Sequence, residues 1–289
     1  MVTTSLPYKF GVSQFTTWPW SFEQDVDGYA RLGVDAIEVC EDKLDEGGHA
    51  GDQLELIVQH GLTISSVQPA VRTLFPSRMQ PEPEALSDRT ALFCRAIERV
   101  GRFAQGTPFV CNTGPPPNGN IQEVFDVAPR EYRALADFAQ DCGASIALEP
   151  LSPVLMNVET AIWTLEQAMR IVAAVDRTNF GVCVDVWNLW QNASVTEEIK
   201  ACGDRVFVVH ISDWQTPRSF ADRRVVGRGE IPLPALIHAI HGSGYRGAYT
   251  LEIFSSDVPD SLWDGDLSEV VRDSRIGLEK AWREAGEPS

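Results

Sequence analysis

No stretch of this chain approaches the roughly 18 consecutive apolar residues that a membrane-spanning helix requires. Basic residues are few. Lysine and arginine number 24 against 41 aspartates and glutamates, a formal net charge of -17. Such a surface repels phosphodiester backbones and anionic bilayers, so neither nucleic acid nor a membrane is an expected partner. The six cysteines are scattered and no C-x-x-C occurs, which leaves no disulfide framework or zinc ribbon to read. Reduced thiols and a cytoplasmic location are the expectation. The opening MVTTSLPYKFG has no basic segment followed by an apolar core, so no signal peptide is expected. No G-x-G-x-x-G follows the first strand-like run and no Walker loop is present, which removes the usual nucleotide folds.

What the chain does have is alternation. Short apolar, β-rich runs at Phe10–Ser13, Ala36–Val39, Thr63–Val67, Phe109–Cys111, Ser145–Leu148, Phe180–Val184, Val206–Val209 and Ala248–Leu251 read as eight strands. Helical patterns follow them at Ser21–Leu32, Gln53–Gln59, Glu84–Phe103, Arg130–Cys142, Glu159–Val175, Thr196–Cys202, Leu233–His241 and Ser268–Arg283. Near-continuous apolar strands are those with both faces covered. Eight βα units in succession predict an α/β protein, a single (β/α)8 TIM barrel over residues 1–289. The helix-to-strand loops are short and carry glycines such as Gly33 and Gly61, while Gln68–Pro83, Asn112–Pro129 and Ile211–Pro232 are long. Long loops gathered on the C-terminal face are where a barrel keeps its chemistry.

Four strand-like runs end in a metal-ligating residue: Glu149 after SIAL, Asp185 after FGVCV, His210 after VFVV and Glu252 after AYTL. Successive members lie about one βα unit apart, so they come from strands five to eight, and a barrel converges such positions at its C-terminal mouth. One acid at a strand end is commonly a helix cap. Four at equivalent places in consecutive units are read as a site. Three carboxylates and an imidazole suit one divalent cation, with Mn²⁺ the leading candidate and Mg²⁺, Co²⁺ or Zn²⁺ alternatives.

Other strand ends supply candidate substrate contacts. Glu38 ends the second strand; Gln68 and Asn112 end the third and fourth, where amides that both donate and accept suit a polyol. Gln14, at the end of the first strand, is weighed as structural. Tryptophans cluster just after strands, and Trp18 and Trp187 are taken as aromatic faces for the C–H faces of a sugar.

The runs LEPLSP, VDVWNLW, VVHISDW, GRGEIPLPAL and YTLEIFS resemble the xylose-isomerase-like TIM-barrel superfamily. The resemblance is to its sugar phosphate isomerase/epimerase branch, which holds ketose 3-epimerases and inosose isomerases. It implies that Glu149, Asp185, His210 and Glu252 bind one divalent metal and that Glu149 and Glu252 are the paired acid and base. The chemistry agrees: a polarised carbonyl acidifies the adjoining C–H, one carboxylate removes the proton and another returns it. The expected activity is isomerisation or epimerisation of a small sugar, keto-sugar or cyclitol. A lyase (dehydratase, decarboxylase or 3-keto-glycoside-cleaving enzyme) is the alternative on the same site. Two positions depart from the family pattern. Asn188 stands where many relatives have a histidine three residues after the sixth-strand aspartate, and Ser152 where many have one after E-P-L. Asn188 can hold a hydroxyl but cannot titrate near neutral pH. Relatives use a basic residue of the loop after the seventh strand on a substrate oxygen, which points to Arg228 and, less strongly, Arg218; Asp213 is weighed as a turn-former. DNA repair on the same barrel needs additional histidines, and this chain has five in all. Relatives often form dimers or tetramers, so a homo-oligomer is compatible with the resemblance.

Overall fold

Alternation of side-chain direction along each strand decides what this fold can place at its centre. A computed structural model describes residues 7–216, 222–256 and 258–286. The strands β1 (Lys9–Ser13), β2 (Ala36–Cys40), β3 (Thr63–Gln68), β4 (Pro108–Cys111), β5 (Ser145–Leu148), β6 (Phe180–Asp185), β7 (Val206–Ile211) and β8 (Ala248–Leu251) are joined in that order into a closed barrel. All neighbours are parallel, and β8 returns to pair with β1. This is the single (β/α)8 barrel expected from the sequence.

Around it run the helices α1 (Phe22–Arg31), α2 (Ala50–Gln59), α3 (Leu86–Gly101), α4 (Ile121–Asp141), α5 (Leu165–Val175), α6 (Val186–Leu189), α7 (Val195–Cys202), α8 (Leu233–Gly242) and α9 (Leu267–Glu284). Side chains step from face to face every residue in a strand, so positions two apart share a face. A small interior cluster of Val110, Ala147, Cys183 and Val208 fills the barrel. Two residues further along the same strands, on the same face, come Asn112, Glu149, Asp185 and His210. The main core, with Phe10, Ile37, Phe109 and Phe180 among its fully buried members, occupies the layer between strands and helices. None of the described helices is long and apolar enough to cross a membrane, and all six cysteines are free thiols.

Local signals account for most boundaries. Ser21 and Gln24 form a reciprocal capping box that starts α1. Thr164 and Gln167 do the same for α5, so that helix begins at Leu165 and not at Glu159. The largest departure is α4, which starts at Ile121, nine residues before the expected Arg130. Pro129 is expected at the end of the loop Asn112–Pro129, and proline costs about 3 kcal/mol in a helix interior. It lies inside the helix, where complete burial of Val124 and Ala128 on the core face offsets that cost.

Candidate active site

The register of β6 on β7 sets Asp185 directly beside His210. Glu149 and Glu252 stand just beyond β5 and β8, their backbone N–H groups donating to Cys111 and Ile211 of the neighbouring strands at 2.9 and 3.0 Å. One ligand atom from each of Glu149, Asp185, His210 and Glu252 lies within 4.8 Å of the others, and all four side chains are buried. The four residues named from the strand ends are therefore one cluster.

His210 is oriented from behind. Its Nε2 donates to Glu38 Oε2 at 2.7 Å, and Ser66 Oγ donates to the same carboxylate oxygen at 2.7 Å. Nδ1 then points at the carboxylates, 3.4 Å from Glu252 Oε2 and 3.9 Å from Glu149 Oε1, with Cys183 Sγ at 3.5 Å. A histidine that spends one nitrogen on a carboxylate and offers the other to a cluster of oxygens is the geometry of a metal ligand. The donor set, O, O, O and N within a few ångströms, fits one small divalent cation. Glu38 was taken as a substrate contact; it is fully buried behind His210 and does not line the pocket.

Asp185 Oδ1 accepts from the Trp187 N–H and caps α6, and its Oδ2 accepts from Asn188 Nδ2 at 2.8 Å. Asn188 Nδ2 also reaches Glu149 Oε1 at 3.1 Å, and its Oδ1 accepts from the Ser152 N–H at 3.0 Å. The two positions that depart from the family pattern are thus bonded to each other, and Asn188 ties the two carboxylates together. Asn112 Nδ2 donates to Glu149 Oε2 at 3.2 Å, and Gln68 Nε2 approaches Glu252 Oε1 at 3.4 Å.

The basic residue of the site is Arg223, which the sequence reading passed over. Its guanidinium forks onto Glu252 Oε2 at 2.7 Å and Asp185 Oδ2 at 2.9 Å, and stacks over Trp187 and Phe254 at 5.2 and 5.0 Å. Arg228 does not reach the pocket: its side chain is 67% exposed and lies 3.5 Å from Asp273. The reason is Asp213, whose carboxylate accepts from the N–H groups of Trp214, Gly227, Gly229 and Ile231 and turns that segment outward. Asp213 also pairs with Arg224 in an isolated antiparallel bridge, so Arg223, one residue earlier, faces the barrel. That bridge next to a strand-like RRVV run is the signal that could have found Arg223. Arg218 lies outside the described residues.

Titration is strongly biased here. Burial pushes the Glu252 carboxyl up to about 7, with His210 and Arg223 opposing. Burial also raises Asp185, although Arg223 pulls it back. At Glu149 burial acts upward too, yet hydrogen bonding and charge from His210, with Arg223 and Asn112, hold it below the ordinary range. At Glu38 burial is likewise outweighed by the charge and hydrogen bond of His210, and the carboxyl sits low. His210 is pushed well above its usual value: burial works against its charge, but Cys183, Glu252 and Glu38 outweigh it. The same field that holds a proton on the ring would draw in a cation.

Of these groups Glu149 and Glu252 line an open pocket at the barrel mouth. Gln68, Asn112, Trp187 and Asn188 line it, as expected from the sequence, together with Phe15, Arg72, Met79 and Phe254. Trp18 does not; it is 39% exposed, stacks on Phe15 at 5.7 Å and has Lys43 5.6 Å above its ring. Gln14 is structural, donating to Asp25 and accepting from the Cys40 N–H.

A closed barrel that gathers three carboxylates and a carboxylate-backed imidazole at its C-terminal mouth defines a class of barrel with a metal-type centre in a pocket. Within that class the chain belongs to the xylose isomerase-like TIM barrel family, whose model matches residues 26–280. Inosose isomerase of Bacillus velezensis is 34% identical over 138 residues, covering 46% of this chain and 48% of that protein. L-ribulose 3-epimerase of Methylomonas sp. is 29% identical, covering 46% of each. The match therefore spans about half the length of these relatives. Among solved structures, that of IolI protein with a bound zinc atom superposes with a TM-score of 0.80 at 22% identity, over 96% of this chain and 99% of that one.

Proposed function

We propose that this protein is an isomerase or epimerase that moves a proton at a carbon beside the carbonyl of a small sugar, keto-sugar or cyclitol. One divalent cation, Mn²⁺ being the leading candidate, would be held by Glu149, Asp185, His210 and Glu252. The observation that carries this reading is the convergence of those four ligand atoms on one point at the barrel mouth. The inosose isomerase and ketose 3-epimerase likenesses support it, as does the zinc atom in the IolI structure.

When bound, the cation supplies Lewis acidity toward a substrate carbonyl and a neighbouring hydroxyl. The remaining work falls to the chain. The family likeness makes Glu149 and Glu252 the paired acid and base, and both carboxylates line the pocket. Glu149 takes the proton from carbon on one side, and Glu252 delivers one from the other; the reverse reaction exchanges the roles. Arg223 orients Glu252 and presents charge to a substrate oxygen. Gln68 Oε1 and Trp187 Nε1, on residues that line the pocket, have no hydrogen-bond partner among the described residues and would supply an acceptor and a donor for hydroxyls. Asn188 carries no titrating proton, so it positions and does not shuttle.

The test is incubation of the Mn²⁺-loaded protein with ketohexoses and keto-inositols in deuterated water. One carbon-bound deuterium in a product of unchanged skeleton is expected. Release of water or a fragment would move the protein to the lyase alternative, and no exchange with any substrate would reject both.

A further inference from the structure

Two arginines line the pocket, and they differ in one respect. Arg223 is held by Asp185 and Glu252. Arg72 has no carboxylate within 4.0 Å among the described residues; its guanidinium lies over the Phe15 ring, 5.3 Å from the centroid. Two other cations of the chain are paired, Lys43 with Asp25 at 2.7 Å and Arg99 with Glu41 at 3.4 Å. The pocket's remaining acid outside the metal-type cluster, Glu159, is buried and accepts from the Met79 N–H at 2.9 Å.

Arg72 is also presented on a fixed segment. Its N–H donates to Gln80 Oε1 at 3.1 Å and its carbonyl accepts from the Asn112 N–H at 2.9 Å. Thr73 next to it forms an isolated parallel bridge to Asn112. Arg89, 1% exposed, clamps the segment from beneath by donating to the carbonyls of Thr73, Gln80 and Pro83 and to Thr73 Oγ1. The side chain is therefore carried on a scaffold ordered before any ligand arrives.

A substrate that seals this pocket strips water from Arg72. A hydroxyl replaces that hydration in part, whereas a carboxylate engages the guanidinium fork with two charge-assisted bonds and cancels its charge. One uncompensated guanidinium matches one negative charge. A phosphate ester carries about -1.5 to -2 at neutral pH and three oxygens, more than this single cation meets. Phe15, with Phe254 stacked 4.8 Å from it, gives the C–H face of such a molecule an apolar wall.

We infer that Arg72 forms a carboxylate subsite and that the substrate is an acidic keto-sugar, a ketouronate type, whose carbonyl end faces the Glu149–Asp185–His210–Glu252 cluster. This rests on the isomerase reading of that cluster and names the substrate class within it.

The experiment compares D-fructuronate, D-fructose and D-fructose 6-phosphate with the Mn²⁺-loaded protein and with Arg72→Gln, reading kcat/KM by deuterium exchange and affinity by calorimetry. The expected result is at least a tenfold preference for the carboxylate over the neutral ketose, expressed in KM. In Arg72→Gln that preference falls roughly 10- to 100-fold, the range for a charge-assisted pair. Equal use of all three, a preference for the phosphate, or a preference that survives Arg72→Gln overturns the inference and leaves the isomerase reading standing. If none is turned over, the isomerase reading fails for these ketoses, and the affinities still decide the subsite. Tighter carboxylate binding lost in Arg72→Gln supports it; indifference to the substitution rejects it.

Discussion

His210 and Glu38 meet inside the barrel from β7 and β2, Nε2 donating to Oε2 at 2.7 Å with both side chains fully buried. Because Glu38 accepts the Nε2–H hydrogen bond, Nδ1 is left facing the carboxylates of Glu149 and Glu252. Glu38→Gln is expected to weaken Mn²⁺ or Zn²⁺ affinity about 10- to 100-fold, the usual cost of losing such a supporting carboxylate. Titration calorimetry on the folded variant checks this, and unchanged affinity would remove Glu38 from the site.

Stability of the metal-free protein should fall as pH rises. Glu252 is raised to about 7 from 4.5, Asp25 to about 6 from 3.8, and His210 lies well above 6.5. Each binds its proton more tightly folded than unfolded. Each therefore contributes stability that is full below its unfolded value and lost as pH climbs through the folded one. Glu38 and Glu149 run the other way and lose their contribution only as pH falls below the ordinary carboxylate range. In chelator, Tm should decline between about pH 5 and pH 8. Mn²⁺ should flatten that decline, since it binds the deprotonated ligands. A chelated Tm that rises across this interval contradicts the assignment.

Arg223 and Arg228 should separate cleanly. Arg223→Ala leaves Asp185 and Glu252 buried without their guanidinium and should cost about 3–5 kcal/mol in the metal-free protein. It should also abolish detectable turnover. Arg228→Ala, at an exposed position, should stay within about 0.5 kcal/mol. Urea unfolding and deuterium exchange read the two effects, and equal behaviour of the variants would refute the placement.

The pair Asp25–Lys43 is a structural prediction independent of the chemistry. Lys43 Nζ sits 2.7 Å from Asp25 Oδ2, and Asp25 also accepts from Gln14 and Thr17. Burial keeps the Asp25 carboxyl high in spite of this lysine. Lys43→Met should cost about 3–5 kcal/mol, and adding Asp25→Asn should recover most of it. A double variant no more stable than the single one would show that the pair's charge is not the issue.

The clustering of Glu149, Asp185, His210 and Glu252 was legible because each follows an apolar run in its own βα unit, a one-dimensional mark of a three-dimensional point. Gln68 and Asn112 were marked in the same way, Trp187 by the clustering of tryptophans after strands and Asn188 by the family resemblance. What escaped depended on contacts distant in the chain. Glu38 lies in the middle of β2 and not at its end, and only the barrel shows that His210 covers it. Arg223 and Arg228 lie five positions apart in one loop, and only the four N–H groups gathered by Asp213 decide which turns inward. Trp18 follows β1 as expected, yet Phe15 takes the inner position. The start of α4 was lost to Pro129, whose penalty is local while its compensation is tertiary.

The closure of β8 onto β1 carries a further meaning. Glu252 follows the eighth strand of the barrel, and Glu38, which steadies the histidine, sits on the second. The cluster is therefore assembled only when the ring has shut, and under the proposed metal reading tight uptake of a cation would report that closure. Deleting any one of these strands should then abolish uptake altogether.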